Sequence, residues 1–156
     1  MPVVIGMRLT RWQLRLRALK KLADQILQAV GEADALLSLE IIGDRRMRRL
    51  NHMFRHRDKT TDVLAFAMRE GPGPPSALLG DIVISLPQAL RQARRHQQGI
   101  DYELVVLLIH GVLHLCGYDH ERGTVEARRM TRRERVVLRR IIPIPRLLVQ
   151  RDSHRV

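Results

Sequence analysis

The sequence predicts an α+β fold, a small mixed β-sheet packed against several helices. Three observations carry this expectation. Short apolar runs bounded by polar or Gly/Pro segments, "ALLSLEIIG", "VLAFAM" and "LLGDIVIS", read as strands. Between and around them lie longer stretches whose apolar residues recur at three and four positions, as on one face of a helix. The chain of 156 residues contains no internal repeat or low-complexity tract. It is long enough to bury a sizeable core, so residues 1–156 are assigned to one domain.

Taken in order, "PVVIG" reads as a short strand. From Leu9 to Val30, the residues Trp12, Leu16, Leu19, Ala23, Ile26 and Val30 form one apolar helix face with Arg and Lys opposite. This opening stretch has no acid before Asp24, as in a transit peptide. It also has no serine, which favours a mature amphipathic helix. Ala35 to Gly43 is a strand, and Asp44 is placed as the N-cap of a helix through "RRMRRLNHMF", with Met47, Leu50 and Phe54 inward. "HRDKTTD" is a polar loop before the strand "VLAFAM". "EGPGPPS" is a Gly/Pro loop, the most flexible-looking stretch, and "LLGDIVIS" is a buried strand. Leu86 to Gln98 form a basic helix ended by Gly99. Asp101 is placed as the cap of the helix that carries His110 and His114 and stops at Gly117. A last helix runs from about Glu121 to Ile142, stopped by Pro143 and Pro145. It leaves a basic tail over about 143–156, frayed after Arg146.

The composition narrows the partners. The net charge is +12 and the sequence pI near 11.4. From Arg122 onward there are eleven Arg and no Lys, against only Glu126, Glu134 and Asp152. Such an excess favours a polyanion, because each neutralised phosphate releases counterions. The bland alternative is a solvated Arg-rich helix face. The single cysteine, Cys116, rules out an intrachain disulfide framework and fits a reducing compartment such as the cytoplasm. No apolar run reaches the roughly 18 residues of a membrane span, and no membrane partner is expected.

The chemistry is concentrated in "HGVLHLCGYDH", residues 110 to 120. His110 and His114 are four residues apart on a helix, a turn of about 400°, so both imidazoles lie on one face. Gly117 can adopt positive φ and reverse the chain, which brings His120 back as a third ligand. Three neutral nitrogens in this arrangement suit Zn²⁺ with a fourth position open. One histidine on such an apolar helix is ordinarily a satisfied core residue. Three at this spacing would each need a partner without a metal. Cys116 points away from their face and reads as a small buried hydrophobe. Asp119 reads as an outer acceptor or a turn residue rather than a ligand. His52, His56, His96 and His154 lie outside the pattern, with His56 in a loop that also holds basic residues.

One residue is missing. In the metzincin protease pattern H-E-x-x-H-x-x-G-x-x-H the glutamate is the general base; here its place holds Gly111. Peptidase chemistry by that route is therefore not expected, while a bound zinc lowers the pKa of its water to roughly 7, so hydroxide is available without a side-chain base. Gly111 also has a structural reading, close packing of a strand against the helix. The motif and the charge together suggest a hydrolytic metal centre acting on a phosphodiester.

Residues 110 to 120 fit throughout the signature H-G-x-L-H-L-x-G-Y-D-H of the YbeY single-strand endoribonucleases of bacteria and organelles, and the sequence resembles that family. "LNHMFRHRDKTTDVLAFAM" resembles its L-N-x-x-[FY]-R-x-K-D-K-P-T-D-V-L-S-F-P segment, and "LLGDIVISLPQALRQA" its L-G-D-I-V-I-S segment and following helix. The likeness covers roughly residues 36–140. Thr60 stands for the usual Pro, Ala65 for Ser, Ala67 for Pro and Arg57 for a common Lys. The resemblance implies an α+β fold, one zinc per chain on three histidines, single-stranded RNA as substrate, ribosomal RNA or ribosomal particles as partners, and roles in ribosomal RNA maturation and ribosome quality control. Its key basic residue matches Arg55.

A guanidinium aimed at the non-bridging oxygens stabilises the charge that develops as a phosphodiester is cleaved. The bland reading of Arg55 is a helix-end residue that satisfies last-turn carbonyls. The expected catalytic residues are thus Arg55 and His110, the substrate contacts Arg55, Arg57 and Lys59, and the metal ligands His110, His114 and His120. Asp81 is either a strand-end structural residue or an outer partner of the site. Two rival readings stand beside the endoribonuclease: a zinc-containing RNA-binding ribosome-assembly factor that does not cut, and a small-molecule metal hydrolase.

Overall fold

The run "LLGDIVIS" lies at the heart of the fold. The computed structural model describes residues 3–7, 11–69 and 77–150. The Gly/Pro loop at 70–76, His154 and the last six residues lie outside these. A four-stranded sheet has the order β1 (Val3–Met7), β3 (Leu36–Ile42), β5 (Leu78–Ser85), β4 (Val63–Ala67). β1, β3 and β5 run parallel, and β4 lies antiparallel at the edge. The strand period of two sorts the side chains onto two faces. Leu37, Leu39, Ile41, Ile82 and Ile84 enter the main core, whereas Ile42, Leu64 and Val83 form a smaller one with Met47.

The main core is shared with helices α1 (Leu16–Ala29), α3 (Leu86–Arg95), α4 (Ile100–Leu115) and α5 (Thr124–Ile141), while α2 (Asp44–Arg55) supplies Met47 to the smaller one. α4 is buried on most sides because it is apolar on most sides: Leu104, Val105, Leu108, Ile109, Val112 and Leu113 are each at most 3 % exposed. Each such side chain contributes roughly 1.5–3 kcal/mol of burial. Gly111 lets α4 come close to the sheet. A Cβ on it would meet three atoms of the Ile82 side chain at 3.0–3.3 Å. The packing role read for this glycine is borne out, and a glutamate here would have to enter space that β5 fills.

Several expected boundaries move. The helix expected from Leu9 to Val30 is a strand, β2 (Trp12–Leu14), followed by α1, and Leu16 is exposed rather than inward. The tail expected to fray after Arg146 instead forms β6 (Leu148–Gln150), antiparallel to β2, with Leu147 and Leu148 buried. Trp12 therefore serves a strand pair whose partner lies at the far end of the sequence. Gly43, not Asp44, caps α2, and the Asp44 carboxylate accepts from Thr60, Ser85 and Arg91. Phe54 is exposed and meets Phe66 edge-on at 5.1 Å instead of pointing inward. α3 ends at Arg95, and Gln97, not Gly99, takes the positive φ; Gly99 caps α4. α5 starts at Thr124, after a 3₁₀ turn His120–Arg122 and Gly123.

Asp101 does not cap α4 either. Its carboxylate accepts from the backbone N–H groups of Leu147 (2.9 Å) and Leu148 (3.0 Å), which pins β6 to the start of α4. Asp101→Ala is expected to cost about 1–3 kcal/mol by leaving two donors without their charged acceptor. A melting curve that does not move would show that β2–β6 pairing holds the segment alone.

Candidate metal centre

The three histidines converge because of how α4 ends. Gly117, with φ +97°, follows the C-cap Cys116. The Gly117 N–H donates to the His114 carbonyl at 3.0 Å and the Tyr118 N–H to the Leu113 carbonyl at 3.0 Å. This is the Schellman pattern, which satisfies the last carbonyls and turns the chain back. Asp119 then accepts from the Glu121 N–H at 2.9 Å, which holds its carboxyl below the usual range and starts the 3₁₀ turn carrying His120. Of the two roles read for Asp119, the structure shows the turn residue.

One ligand nitrogen from each of His110, His114 and His120 lies within 4.8 Å of the other two. The Nε2 atoms of His110 and His114 are 3.1 Å apart. His110 Nδ1 sits 2.7 Å from Glu134 Oε1 on α5, and a carboxylate accepts only, so that nitrogen carries the proton in the neutral ring and Nε2 keeps its lone pair. His114 Nε2 must then either donate its own proton to that lone pair or share a cation with it. Burial first, then the neighbouring His110 and His120, holds the His114 pKa below the ordinary histidine value, favouring the neutral form a metal needs. The donor set therefore fits a metal ion that takes neutral nitrogen ligands. Cys116 is turned away, and burial pushes its thiol up to about 11, so it stays protonated and inert.

The histidines stand in a cleft of about 650 Å³ that also receives Arg55, Arg57 and Lys59. Near the end of α2 the His52 and Asn51 carbonyls accept from the His56 and Arg57 N–H groups. Arg55 reaches across instead, and its Nη2 donates to the Ala65 carbonyl of β4 at 3.2 Å. It is thus tied to the cleft floor rather than to its own helix. Lys59 is positioned by Asn51, whose buried amide donates to the Lys59 carbonyl at 2.8 Å. No described residue pairs with the side chains of Arg57 or Lys59. His56 has φ +58°, stops α2 and does not line the cleft. Asp81 pairs with Ser38 and Phe66 within the sheet, also away from the cleft.

The family model described as endoribonuclease YbeY matches residues 6–142. The chain belongs to the YbeY family. A protein named endoribonuclease YbeY from Anaeromyxobacter sp. is 50 % identical over 118 residues, which is 76 % of this chain and 60 % of that relative's length. One of the same name from Geobacter metallireducens is 43 % identical over 140 residues, covering 88 % of this chain and 93 % of the relative. A solution structure from Thermotoga maritima superposes with a TM-score of 0.61 at 23 % identity, over 89 % of this chain and 88 % of that one, and supports the α+β fold.

Glu134 is the residue of this YbeY site that sequence reading missed. It lies 24 residues from His110, outside the motif. The available signal was its place as a lone acid between Arg133 and Arg135 in an arginine-rich helix. Such an outer acceptor fixes the ring and its tautomer. Glu134→Gln is expected to weaken metal affinity about 10–100-fold. Competition with a chelator measures this, and unchanged affinity would reduce Glu134 to a helix-docking contact.

Proposed function

We propose that this chain is a zinc-dependent, single-strand-specific endoribonuclease of the bacterial cytoplasm, acting on ribosomal RNA during its maturation and in ribosome quality control. Membership of the family carries the coarser part, an endoribonuclease that hydrolyses RNA. The observation that carries the rest is one cleft with the three-histidine set and an arginine anchored to its floor. In this reading His110, His114 and His120 hold one zinc, which when bound supplies Lewis-acid charge. Arg55 directs donors at the oxygens of the scissile phosphate, and Arg57 and Lys59 hold neighbouring phosphates. Gly111 supplies no general base.

The test combines metal analysis of the purified chain with cleavage of unstructured and duplex RNA. About one zinc per chain and chelator-sensitive cuts confined to single strands are expected. A 2′,3′-cyclic phosphate at the product ends would assign the ribose 2′-hydroxyl as nucleophile. Tight RNA binding without any cut by the zinc-loaded chain would select the assembly factor. RNA affinity is expected to fall steeply with salt. At about −0.7 per phosphate contact on a single strand, three cleft cations give a slope of log K against log[salt] near −2 or steeper. A flat response would favour a small-molecule hydrolase.

A further inference from the structure

α3 also lines the cleft, and there it carries amides. Gln88 and Gln92, four residues apart and hence on one helix face, both line the cleft. Gln88 is not free to turn. Arg91 donates to its Oε1 from Nε at 3.0 Å and from Nη2 at 2.5 Å. Arginine has donors only, so the atom it holds must be the amide oxygen, and the NH₂ group faces the other way. Arg91 is itself held. Its Nη1 pairs with Asp44 Oδ2 at 2.8 Å and its Nη2 with Asp44 Oδ1 at 2.9 Å. Asp44 is fixed in turn by the hydroxyls of Thr60 (3.1 Å) and Ser85 (3.0 Å), and the Arg91 hydrogen bond keeps its carboxyl ionised by lowering its pKa. No described residue accepts from Gln88 Nε2, and Gln88 as a residue is only partly buried. It offers two unused donors to whatever lies along α3.

We propose that Gln88 is a specificity-determining residue, a donor-only amide that selects keto nucleobases over amino nucleobases in the RNA strand lying along α3. The inference rests on the reading of the cleft as an RNA site. Bases of a single strand are splayed out and read along their hydrogen-bonding edges. An ordinary glutamine is indifferent, because rotation of its amide presents either a donor or an acceptor. Gln88 with its oxygen occupied presents donors alone. At position 4 of a pyrimidine or 6 of a purine, uracil O4 and guanine O6 accept them, whereas cytosine and adenine carry amino groups there, so the selection is of that edge of the base. No described residue anchors the Gln92 amide in this way, so it contributes to affinity without discriminating. Thr60, where the family pattern has Pro, supplies one of the hydroxyls that fix Asp44, so the relay includes a departure of this chain from that pattern.

The cleanest probe is uracil against cytosine, which share ring size and O2 and exchange O4 and N3–H for an amino group and an acceptor N3, so a contact at position 4 favours uracil and one at N3 favours cytosine. Affinities of the full zinc-loaded chain for 2′-O-methyl decamers of uridine and of cytidine, measured by fluorescence anisotropy, are expected to differ about fivefold in favour of uridine, the worth of one net hydrogen bond. Gln88→Ala should bring the ratio near one. Arg91→Lys keeps the charge but loses the two-pronged grip on the amide oxygen, so it should also flatten the ratio while leaving cytidine affinity near wild type. Gln92→Ala should weaken both decamers alike. If Arg91 only ties α3 to α2, Arg91→Lys would lower the melting temperature and leave the ratio unchanged. A wild-type ratio within twofold, or a preference that survives Gln88→Ala, overturns the proposal even if the chain cleaves RNA. A uridine preference that vanishes in both variants upholds it even if no cleavage is found, and that result would count against the nuclease reading alone. Binding of neither decamer would overturn both.

Discussion

Arg55→Lys is expected to slow RNA cleavage about 10²–10³-fold, with metal content, melting temperature and most RNA affinity retained. The magnitude is that of removing one preorganised donor at a developing oxyanion, about 3–4 kcal/mol of barrier. Lysine keeps the charge, so binding shared with Arg57 and Lys59 weakens little. It loses the planar fork, and here the fork has two tasks. One arm donates to the Ala65 carbonyl on the cleft floor, and the remaining donors are left for substrate. An ammonium that satisfies the carbonyl has no second, geometrically fixed arm to present. Single-turnover cleavage by the folded, metal-loaded variant is the measurement. A rate within about threefold of wild type would remove Arg55 from the catalytic assignment, and a lowered melting temperature with an unchanged rate would make it a structural tie between α2 and β4.

His114→Ala should remove the metal. Two of three ligands remain, and the loss in affinity should exceed the roughly 100-fold upper range for an outer-shell change. Cleavage should fall with it. The metal-free forms separate this role from a packing role. The His114 pKa is depressed by burial and by its two neighbours, so the unfolded chain takes up the proton before the folded one does. The metal-free wild type should keep its full stability above about pH 6.5, the ordinary histidine value, and lose it as pH falls toward the lower folded value. In His114→Ala that part of the acid sensitivity disappears, and stability at neutral pH changes little. Full metal content in the variant would sink the three-histidine site.

The site was legible where it was local. The ligand spacing, the helix-ending glycine and the packing role of Gly111 are properties of eleven consecutive residues, and a helix with one turn has few ways to arrange them. The strands β3, β4 and β5 were legible because their apolar runs are short and bounded. What was misread depends on partners distant in sequence. Nothing around Trp12 announces that Gln150 pairs with it, so a basic stretch with a helical period was extended backward through a strand. Asp44 and Asp101 stand where helix caps stand, and a capping rule assigned them to their own helices. Their carboxylates serve Arg91 and the Leu147 backbone instead, 47 and 46 residues away. Glu134 was passed over for the same reason, and so was the amide wall of α3.

The bond between Glu134 and His110 couples two equilibria. The ring whose Nε2 faces the other histidines is held by a carboxylate on α5, so docking of α5 on α4 favours the ligand geometry. Anything that binds the docked form and not the undocked one stabilises it by RT ln(1 + [L]/Kd), about 2.7 kcal/mol when the free ion is at a hundred times its dissociation constant. Docking of α5 therefore reports on occupancy. Amide hydrogens of Met130 to Leu138, a segment with no ligand of its own, are expected to exchange more slowly in the metal-loaded chain than after chelation, and Glu134→Gln should erase much of the difference. An arginine-rich helix whose Glu134 holds a ligand ring of the histidine cluster thus becomes a reporter of metal occupancy, with most of its arginines still turned to solvent.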